Sequence, residues 1–314
     1  MSRRYFVTGA TGCVGSWVVK NLLESGEEVI ALVRDPAKLN KLETIMTKEM
    51  ISKIEVVEGD LTEDEAVELG IIGKKADYVI HLAAMQLPLC KADPILGAKV
   101  NVEGTVRIFE TVKKSPVKSV VYASTTAVYG TLNEYENGEY DNNSEFLPHS
   151  HYGIYKQADE WLAKMYYEDD QISSIGLRPY VVYGPMRDQG MTSTPTAAMK
   201  AAIRGEAYEI SYGGEFDFQF ADDVAKAFIQ AATADYQGAY CYNFEKNQVH
   251  MKEVVEAIEE VCEEAKGLIT YQDVPLPFPR NVSGDELDQL IGKVPVTPLK
   301  EGVKRSIEIF RKMS

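Results

Sequence analysis

The chain is predicted to be an α/β protein with a doubly wound parallel sheet, followed by a smaller C-terminal α/β region. Three observations carry that prediction. A short β-prone run, Tyr5-Phe6-Val7-Thr8, leads directly into Gly9-Ala10-Thr11-Gly12-Cys13-Val14-Gly15. From Ser16 to Leu23 apolar residues then recur at helical spacing. Strand-length apolar runs alternate with helical segments through the first 185 residues, the pattern of βαβ units.

Strand, glycine-rich turn and helix in that order are the context of a dinucleotide fingerprint. Gly9 suits a tight turn, Gly12 lets backbone approach a pyrophosphate, and Gly15 lets the helix pack close to the strand. Thr11, Cys13 and Val14 complete the turn, and the free N–H groups of the helix face the phosphates. The spacing is Gly-x-x-Gly-x-x-Gly, not the Gly-x-Gly-x-x-Gly of ordinary Rossmann dehydrogenases. This stretch resembles the short-chain dehydrogenase/reductase superfamily. The resemblance is particularly to its extended branch, the NAD-dependent epimerase/dehydratase family, which includes nucleotide-sugar epimerases, dehydratases and dihydroflavonol-type reductases.

Bulk composition narrows the class. With 314 residues, 45% hydrophobic and 26% charged, the chain reads as an ordinary globular protein with a substantial core. A net charge of −15 argues against nucleic acid or an anionic membrane as partner. An anionic ligand must therefore meet local positive potential inside a cleft. Cys13, Cys90, Cys241 and Cys262 lack metal-type spacing, so no metal is expected. Scattered thiols, no signal peptide and no run near the roughly 20 apolar residues of a membrane span give the expectation of a soluble cytoplasmic enzyme.

Glu28 to Val33 reads as the second strand, ended by Arg34-Asp35-Pro36. Val33 stands where an NAD-specific site carries its acidic residue, and the Arg34 guanidinium next to it suits a 2′-phosphate. Val33-Arg34-Asp35-Pro36 also resembles the NADP-binding turn of dihydroflavonol-type reductases. NADP is the first choice of cofactor and NAD the second, with Asp35 then serving the ribose. Ile54 to Leu61 is the third strand, and the resemblance makes Asp60 and Leu61 adenine contacts. Ala76 to Ala84 contains the fourth strand; Leu82, Ala83 and Ala84 resemble the family's His-x-Ala-Ala element beside the cofactor. His81 is read as a buried structural histidine. A helix opens at Lys99 and runs through Lys113, and Asn101 matches the family's structural asparagine, which holds the catalytic lysine through water. Lys118 to Ser124 is the fifth strand, and Glu134 to Ser150 reads as an irregular loop.

Tyr152-Gly153-Ile154-Tyr155-Lys156 contains Tyr-x-x-x-Lys, whose i, i+4 spacing places both side chains on one helix face. An ammonium beside a phenol favours the phenolate. Tyr152 is thus the expected acid/base, with Lys156 supporting it and holding the nicotinamide ribose. Tyr155 has Asp159, not lysine, four residues on. Ala123-Ser124-Thr125-Thr126-Ala127-Val128-Tyr129-Gly130 resembles the family's Ser-Ser-x-x-Val-Tyr-Gly segment. That resemblance makes Thr125 the catalytic hydroxyl and Ser124 its substrate-side neighbour. Family dehydratases carry Asp-Glu where Thr126-Ala127 stand here, so dehydration is not expected.

Arg178 to Pro185 closes the cofactor half, with Tyr180 and Val181 passing over the nicotinamide. Nucleotide-sugar epimerases commonly have Asn in place of Val181 and Arg where Phe216 precedes Asp217-Phe218. Their absence weakens the nucleotide-sugar reading. The expected domains are a cofactor unit over 1–185 and a substrate region over 186–314 that crosses back to the main sheet if the fold requires it. Met85, Arg187 and Thr192 are assigned with Ser124 and Thr125 to the substrate, a small sugar-like or hydroxy-acid molecule. Asp222 and Asp223 are read as capping the helix they begin and complementing its dipole. The expected activity is hydride transfer between NADP(H) and an alcohol or carbonyl. The alternative is a nucleotide-sugar 4-epimerase with tightly bound NAD, and a third reading is a non-catalytic NADP sensor. By resemblance, a homodimer forms through the helices carrying Tyr152 and Lys156.

Overall fold

The computed structural model describes residues 2–244, 247–281 and 285–313. The first half runs β1 (Arg4–Thr8), α1 (Cys13–Glu24), β2 (Glu28–Val33), α2 (Lys48–Ile51), β3 (Glu55–Glu58), α3 (Asp64–Glu68), β4 (Tyr78–His81), α4 (Leu87–Ala92), α5 (Pro94–Ala98), α6 (Gly104–Lys113) and β5 (Ser119–Ala123). Next come β6 (Glu139–Tyr140), α7 (His151–Asp170), β7 (Ser174–Arg178), β8 (Val181–Tyr183), α8 (Thr194–Ile203), β9 (Tyr208–Ile210) and β10 (Glu215–Phe220). The chain ends with α9 (Ala221–Thr233), β11 (Ala239–Asn243), β12 (Gln248–His250), α10 (Met251–Val261), β13 (Ile269–Tyr271), β14 (Arg280–Asn281), α11 (Asp285–Ile291) and α12 (Leu299–Arg311).

The central sheet has the order β11-β7-β5-β4-β1-β2-β3, and every pairing in it is parallel. The chain winds outward from β1 in one direction and then returns to start again at β4. A crevice outside the carboxyl ends of β1 and β4, where the winding reverses, is the general ligand position in such sheets. Burial on both faces explains why the middle of β1, Tyr5-Phe6-Val7, is an unbroken apolar run. Tyr5 and Val7 enter a core shared with Trp17, Val18 and Phe228, whereas Phe6 enters a second core with Val57, Val79 and Phe109.

Residues after Met186 do not form a separate body. Helix α9 packs on α1 and on the central sheet, and β11 joins that sheet beside β7. A smaller sheet, β12-β10-β8, leads from the central layer to the outer region. Asp222 and Asp223 stand in the first turn of α9, where their charge complements the helix dipole, but the capping half of the expectation is corrected, because neither side chain caps the helix. Both are buried. Asp222 accepts from Asn21 at 2.9 Å and pairs with Lys226 and Arg305, while Asp223 accepts from the Thr297 hydroxyl at 2.9 Å and from its N–H. They fasten α9 to α1, to α12 and to the segment before α12.

The stretch from Glu134 to Ser150 is more ordered than its composition suggests. Its strand β6 pairs with β14, far away in sequence. Tyr129, Tyr140, Tyr135 and Phe146 form a small aromatic core beneath it. Among the described residues no helix is long and apolar enough to cross a membrane.

Candidate active site

A crevice of about 560 Å³ lies across the carboxyl ends of β1, β2, β4 and β5. Its floor is the opening turn. Gly9 has φ +69°, and a Cβ there would stand 2.8 Å from Ala83 N. A Cβ on Gly15 would reach 2.1 Å from the Gly9 carbonyl oxygen, so the turn closes on α1 more than on the strand. A Cβ on Gly12 would meet only that same carbonyl within 4 Å, and would otherwise stand in the crevice. Gly12 begins α1 with no side-chain cap and no acidic residue in the first turn. The amide groups there remain free for an anion. Thr11, Cys13, Val14, Asp60, Leu61, Leu82, Ala83, Ala84, Tyr180 and Val181 all line the crevice, as the motifs imply. Such a cradle fits a dinucleotide.

At the far end beyond β2, Arg34 lines the crevice and is 70% exposed. Its nearest carboxylate oxygen, on Asp60, is 3.8 Å away. Asp60 Oδ1 is itself engaged by Thr62, at 2.9 Å from N and 2.8 Å from Oγ1. The Asp35 carboxylate accepts from Ala37 N at 3.0 Å and caps the turn that follows. Lys38 and Lys41 lie on that turn and also line this end of the crevice. No motif contains them. Only the 3₁₀ winding of Pro36–Thr44 brings them back to the site.

The opposite end holds Thr125, Tyr152 and Lys156. Ser150 caps α7, its hydroxyl accepting from Gly153 N at 3.0 Å, which fixes the turn that carries Tyr152. Gly153 packs the helix against the strand-end turn: a Cβ there would be 2.1 Å from the Ala127 carbonyl oxygen. That close approach seats the start of α7, which carries Tyr152, against the turn that follows Thr125. The Thr125 hydroxyl accepts from Ala127 N at 3.2 Å, and the residue lines the crevice. Tyr155 points elsewhere, donating to the Pro94 carbonyl at 2.8 Å.

Lys156 is buried, its ammonium 3.0 Å from Oδ2 of Asp159. Burial pulls its pKa down, but Asp159 and Tyr152 more than offset this, and the net direction is upward. Two positions have buried partners that their motifs do not specify. Asn101 does not reach the crevice: it is fully buried and grips the Met85 backbone at both ends, accepting from N at 2.7 Å and donating to O at 3.0 Å. Its role is to shape the loop that presents Met85. Ser124 reaches the crevice wall, but its hydroxyl donates to Glu160, which lies behind it. Glu160 is in turn bidentate to the buried Arg178, at 2.8 and 2.6 Å. Arg178 also donates to the Tyr129 hydroxyl at 2.9 Å, joining α7, β7 and the aromatic core.

The structural reading of His81 holds. Its Nδ1 lies 2.7 Å from the Thr8 hydroxyl and its Nε2 3.2 Å from that of Thr105. Burial, helped by the Lys156 charge, pushes it down to about 3, so the ring is neutral. Met85, Arg187 and Thr192 line the substrate end together with Tyr180, Met191 and Phe278. Arg187 Nη2 donates to Thr192 Oγ1 at 3.0 Å, and its buried Nε has no partner. Phe278 packs edge-on against Tyr180, 6.2 Å between ring centres, and no sequence signal marks it because it lies outside every motif. Among the described residues no acidic, histidine or cysteine group is arranged to hold a metal, and the four cysteines are unpaired.

A doubly wound sheet, a glycine cradle at its switch point and a Tyr-x-x-x-Lys helix beside it define an extended short-chain dehydrogenase/reductase. Residues 5–243 match the NAD dependent epimerase/dehydratase family, and the chain belongs to it. It is similar to a UDP-glucose 4-epimerase of Mycolicibacterium smegmatis, 30% identical and covering 99% of both chains. A human dTDP-D-glucose 4,6-dehydratase is 27% identical over 99% of this chain and 90% of that one. The UDP-glucose 4-epimerase of Thermus thermophilus, solved in complex with NAD, has a TM-score of 0.80 and 25% identity, covering 99% of this chain and 100% of that one. The protein is an enzyme of this family.

Proposed function

We propose that the protein is an NADP-dependent oxidoreductase that interconverts an alcohol and a carbonyl on a small hydroxylated substrate. The observation that carries this reading is the distribution of charge along one crevice. Arg34, Lys38 and Lys41 gather at the adenosine end, the Asp35 and Asp60 carboxylates there each have one oxygen already engaged by the chain, and Thr125, Tyr152 and Lys156 stand at the other end. Three cations suit a 2′-phosphate. The nicotinamide supplies the hydride when bound. Thr125 orients the substrate oxygen, and Tyr152 gives or takes its proton, supported by Lys156. Arg187, with its unpartnered Nε, and Thr192 hold the polar end of the substrate.

The second reading is a nucleotide-sugar 4-epimerase with retained NAD, and the names of the relatives favour it. The apolar Val181 and Phe216 stand against it, because they replace polar contacts for a diphosphate. The purified protein is assayed with NADPH and NADH against sugars, aldonates and uronates, in parallel with UDP-hexose epimerisation. NADPH consumption by a carbonyl substrate supports the first reading. Retained NAD with epimerised UDP-hexose and no cofactor turnover overturns it. Arg34→Ala weakens NADP by about tenfold or more and NAD little; equal losses contradict the 2′-phosphate role. Tyr152→Phe lowers turnover about 10²-fold or more with cofactor binding retained.

The same reading includes a dimer. Ile154, Trp161 and Met165 form an exposed apolar stripe on α7, continued by Ile95 and Leu96 on the adjoining α5, with Ile95 85% and Trp161 53% exposed. A second copy of the chain is its proposed occupant. Light scattering reports a dimer for the native chain and a monomer for Trp161→Glu.

A further inference from the structure

Lys156 has a partner that the proposed chemistry does not use. Asp159 follows it by three residues on α7, and the side chains are 2% and 0% exposed at 3.0 Å. Oδ2 meets the ammonium, but Oδ1 is buried with no hydrogen-bond partner among the described residues. A buried carboxylate left half satisfied is costly as an anion and much less so as an acid.

The neighbours explain the shortage of donors. Thr8 Oγ1 accepts from Leu82 N and Ala83 N, both at 3.1 Å, so its proton points to His81 Nδ1. The His81 proton therefore sits on Nε2 and points to Thr105. Thr105 has one hydroxyl proton and donates it to the Asn101 carbonyl at 2.7 Å. Thr105 is the group placed to serve Asp159, and it must release Asn101 to do so. Every donor in the chain is committed before Oδ1 is reached.

The charged and titratable groups around the carboxyl are few. Lys156, Tyr152 and Glu160 lie on its own helix, and Glu160 is locked to Arg178 on β7. Tyr122 faces it from β5, neutral His81 stands on the β4 side, and Cys90 on α4 faces Lys156. His151 sits beside Tyr152 at the exposed start of α7. Burial, working against the pull of Lys156, pushes the Asp159 carboxyl up to about 6.

We infer that Asp159 is a positioning residue for the Tyr152–Lys156 pair: ionised, it takes up part of the ammonium's charge and withholds it from the phenol; protonated, it releases that charge to the phenol. The inference rests on the reading of Tyr152 and Lys156 as the proton-exchanging pair. Its consequence is that one buried carboxyl, invisible to the substrate, sets the pH range over which the phenol gives up its proton.

The test needs neither cofactor nor substrate. Tyrosine labelled with ¹³C at Cζ is titrated by NMR, and the Tyr152 resonance is assigned by its loss in Tyr152→Phe. Asp159→Asn moves the Tyr152 titration midpoint down by about one pH unit, the effect of freeing a nearby opposite charge. A midpoint within a few tenths of a unit of the native one, in a folded variant, overturns the inference and leaves Asp159 a packing residue. Should Asp159→Asn fail to fold, the otherwise native chain decides the matter. In a His151→Gln background, which removes the neighbouring imidazole, the Tyr152 resonance shows a smaller second step near pH 6, and absence of that step overturns the inference. Failure of the proposed activity would appear separately, as a Tyr152→Phe enzyme with undiminished turnover.

Discussion

Two buried ion pairs leave adjacent positions of α7, and they are built on opposite principles. Glu160 is saturated: Arg178 holds both oxygens, and Ser124 adds a third donor. Asp159 has Lys156 on one oxygen and nothing on the other. A saturated pair has a single comfortable charge state and works as a clamp between helix, sheet and aromatic core. An unsaturated pair keeps two states within reach, and its cation here is Lys156, itself a residue of the crevice. The difference teaches that burial of charge does not by itself mark function. The count of donors on each oxygen separates the fastener from the part able to respond to pH.

The comparison is broken most forcefully at the clamp. Glu160→Ala strands the Arg178 guanidinium in the interior and costs about 3–5 kcal/mol, the usual penalty for removing one partner of a buried pair. Chemical denaturation measures it. The loss should vary little between pH 5 and 8, and a loss below about 1 kcal/mol would mean that the clamp is ornamental.

Asp159 is next, and here the sign of the pH dependence is the test. Its carboxyl is raised in the folded state from an ordinary 3.8 to about 6. It therefore adds stability that is fully present below the ordinary carboxylate value and is lost as the pH rises through about 6. Relative to Asp159→Asn, the native chain should gain up to about 3 kcal/mol as the pH falls from 7 to 4. Melting curves of both proteins across that range give the difference, and other carboxylates cancel from it. A relative loss on acidification would show a carboxylate stabilised by its lysine, in the manner of Glu160 with its arginine.

The smallest effect sharpens the boundary between the clamp and the crevice. Ser124→Ala removes one donor from a charged acceptor and costs about 1.5–3 kcal/mol of stability. Turnover should change less than tenfold, since the hydroxyl faces Glu160. Thr125→Ala, one residue on, should do the reverse, with turnover falling about 10²-fold and the melting temperature nearly unchanged. Steady-state kinetics beside calorimetry on the two variants would expose an exchange of roles.

What can be read before folding is whatever is contiguous. The glycine turn, the β4 loop, Thr125 and the Tyr152–Lys156 pair each lie within a short segment, where spacing alone decides which atoms share a face. The partner of Asn101 is not legible in its motif, because the Met85 backbone comes from a loop whose path no local pattern specifies. Asp222 and Asp223 at the start of a helix look like caps, yet burial against α1 and the segments around α12 turns them into fasteners. Lys38, Lys41 and Phe278 belong to no motif and reach the crevice only through the course of their loops. In the sequence, Asp159 stands out only as the residue that denies Tyr155 a lysine.

The sequence by itself determined the winding of the sheet, the position of the glycine turn that floors the crevice and the two side chains expected to exchange a proton. These follow from periodicities of two and 3.6 and from residues a few places apart. Only the tertiary structure decided which polar groups are starved of partners, where the crevice's cations gather and what stands behind Lys156. Those properties depend on how much water each atom loses and which distant donors replace it, and that is settled only when the segments meet.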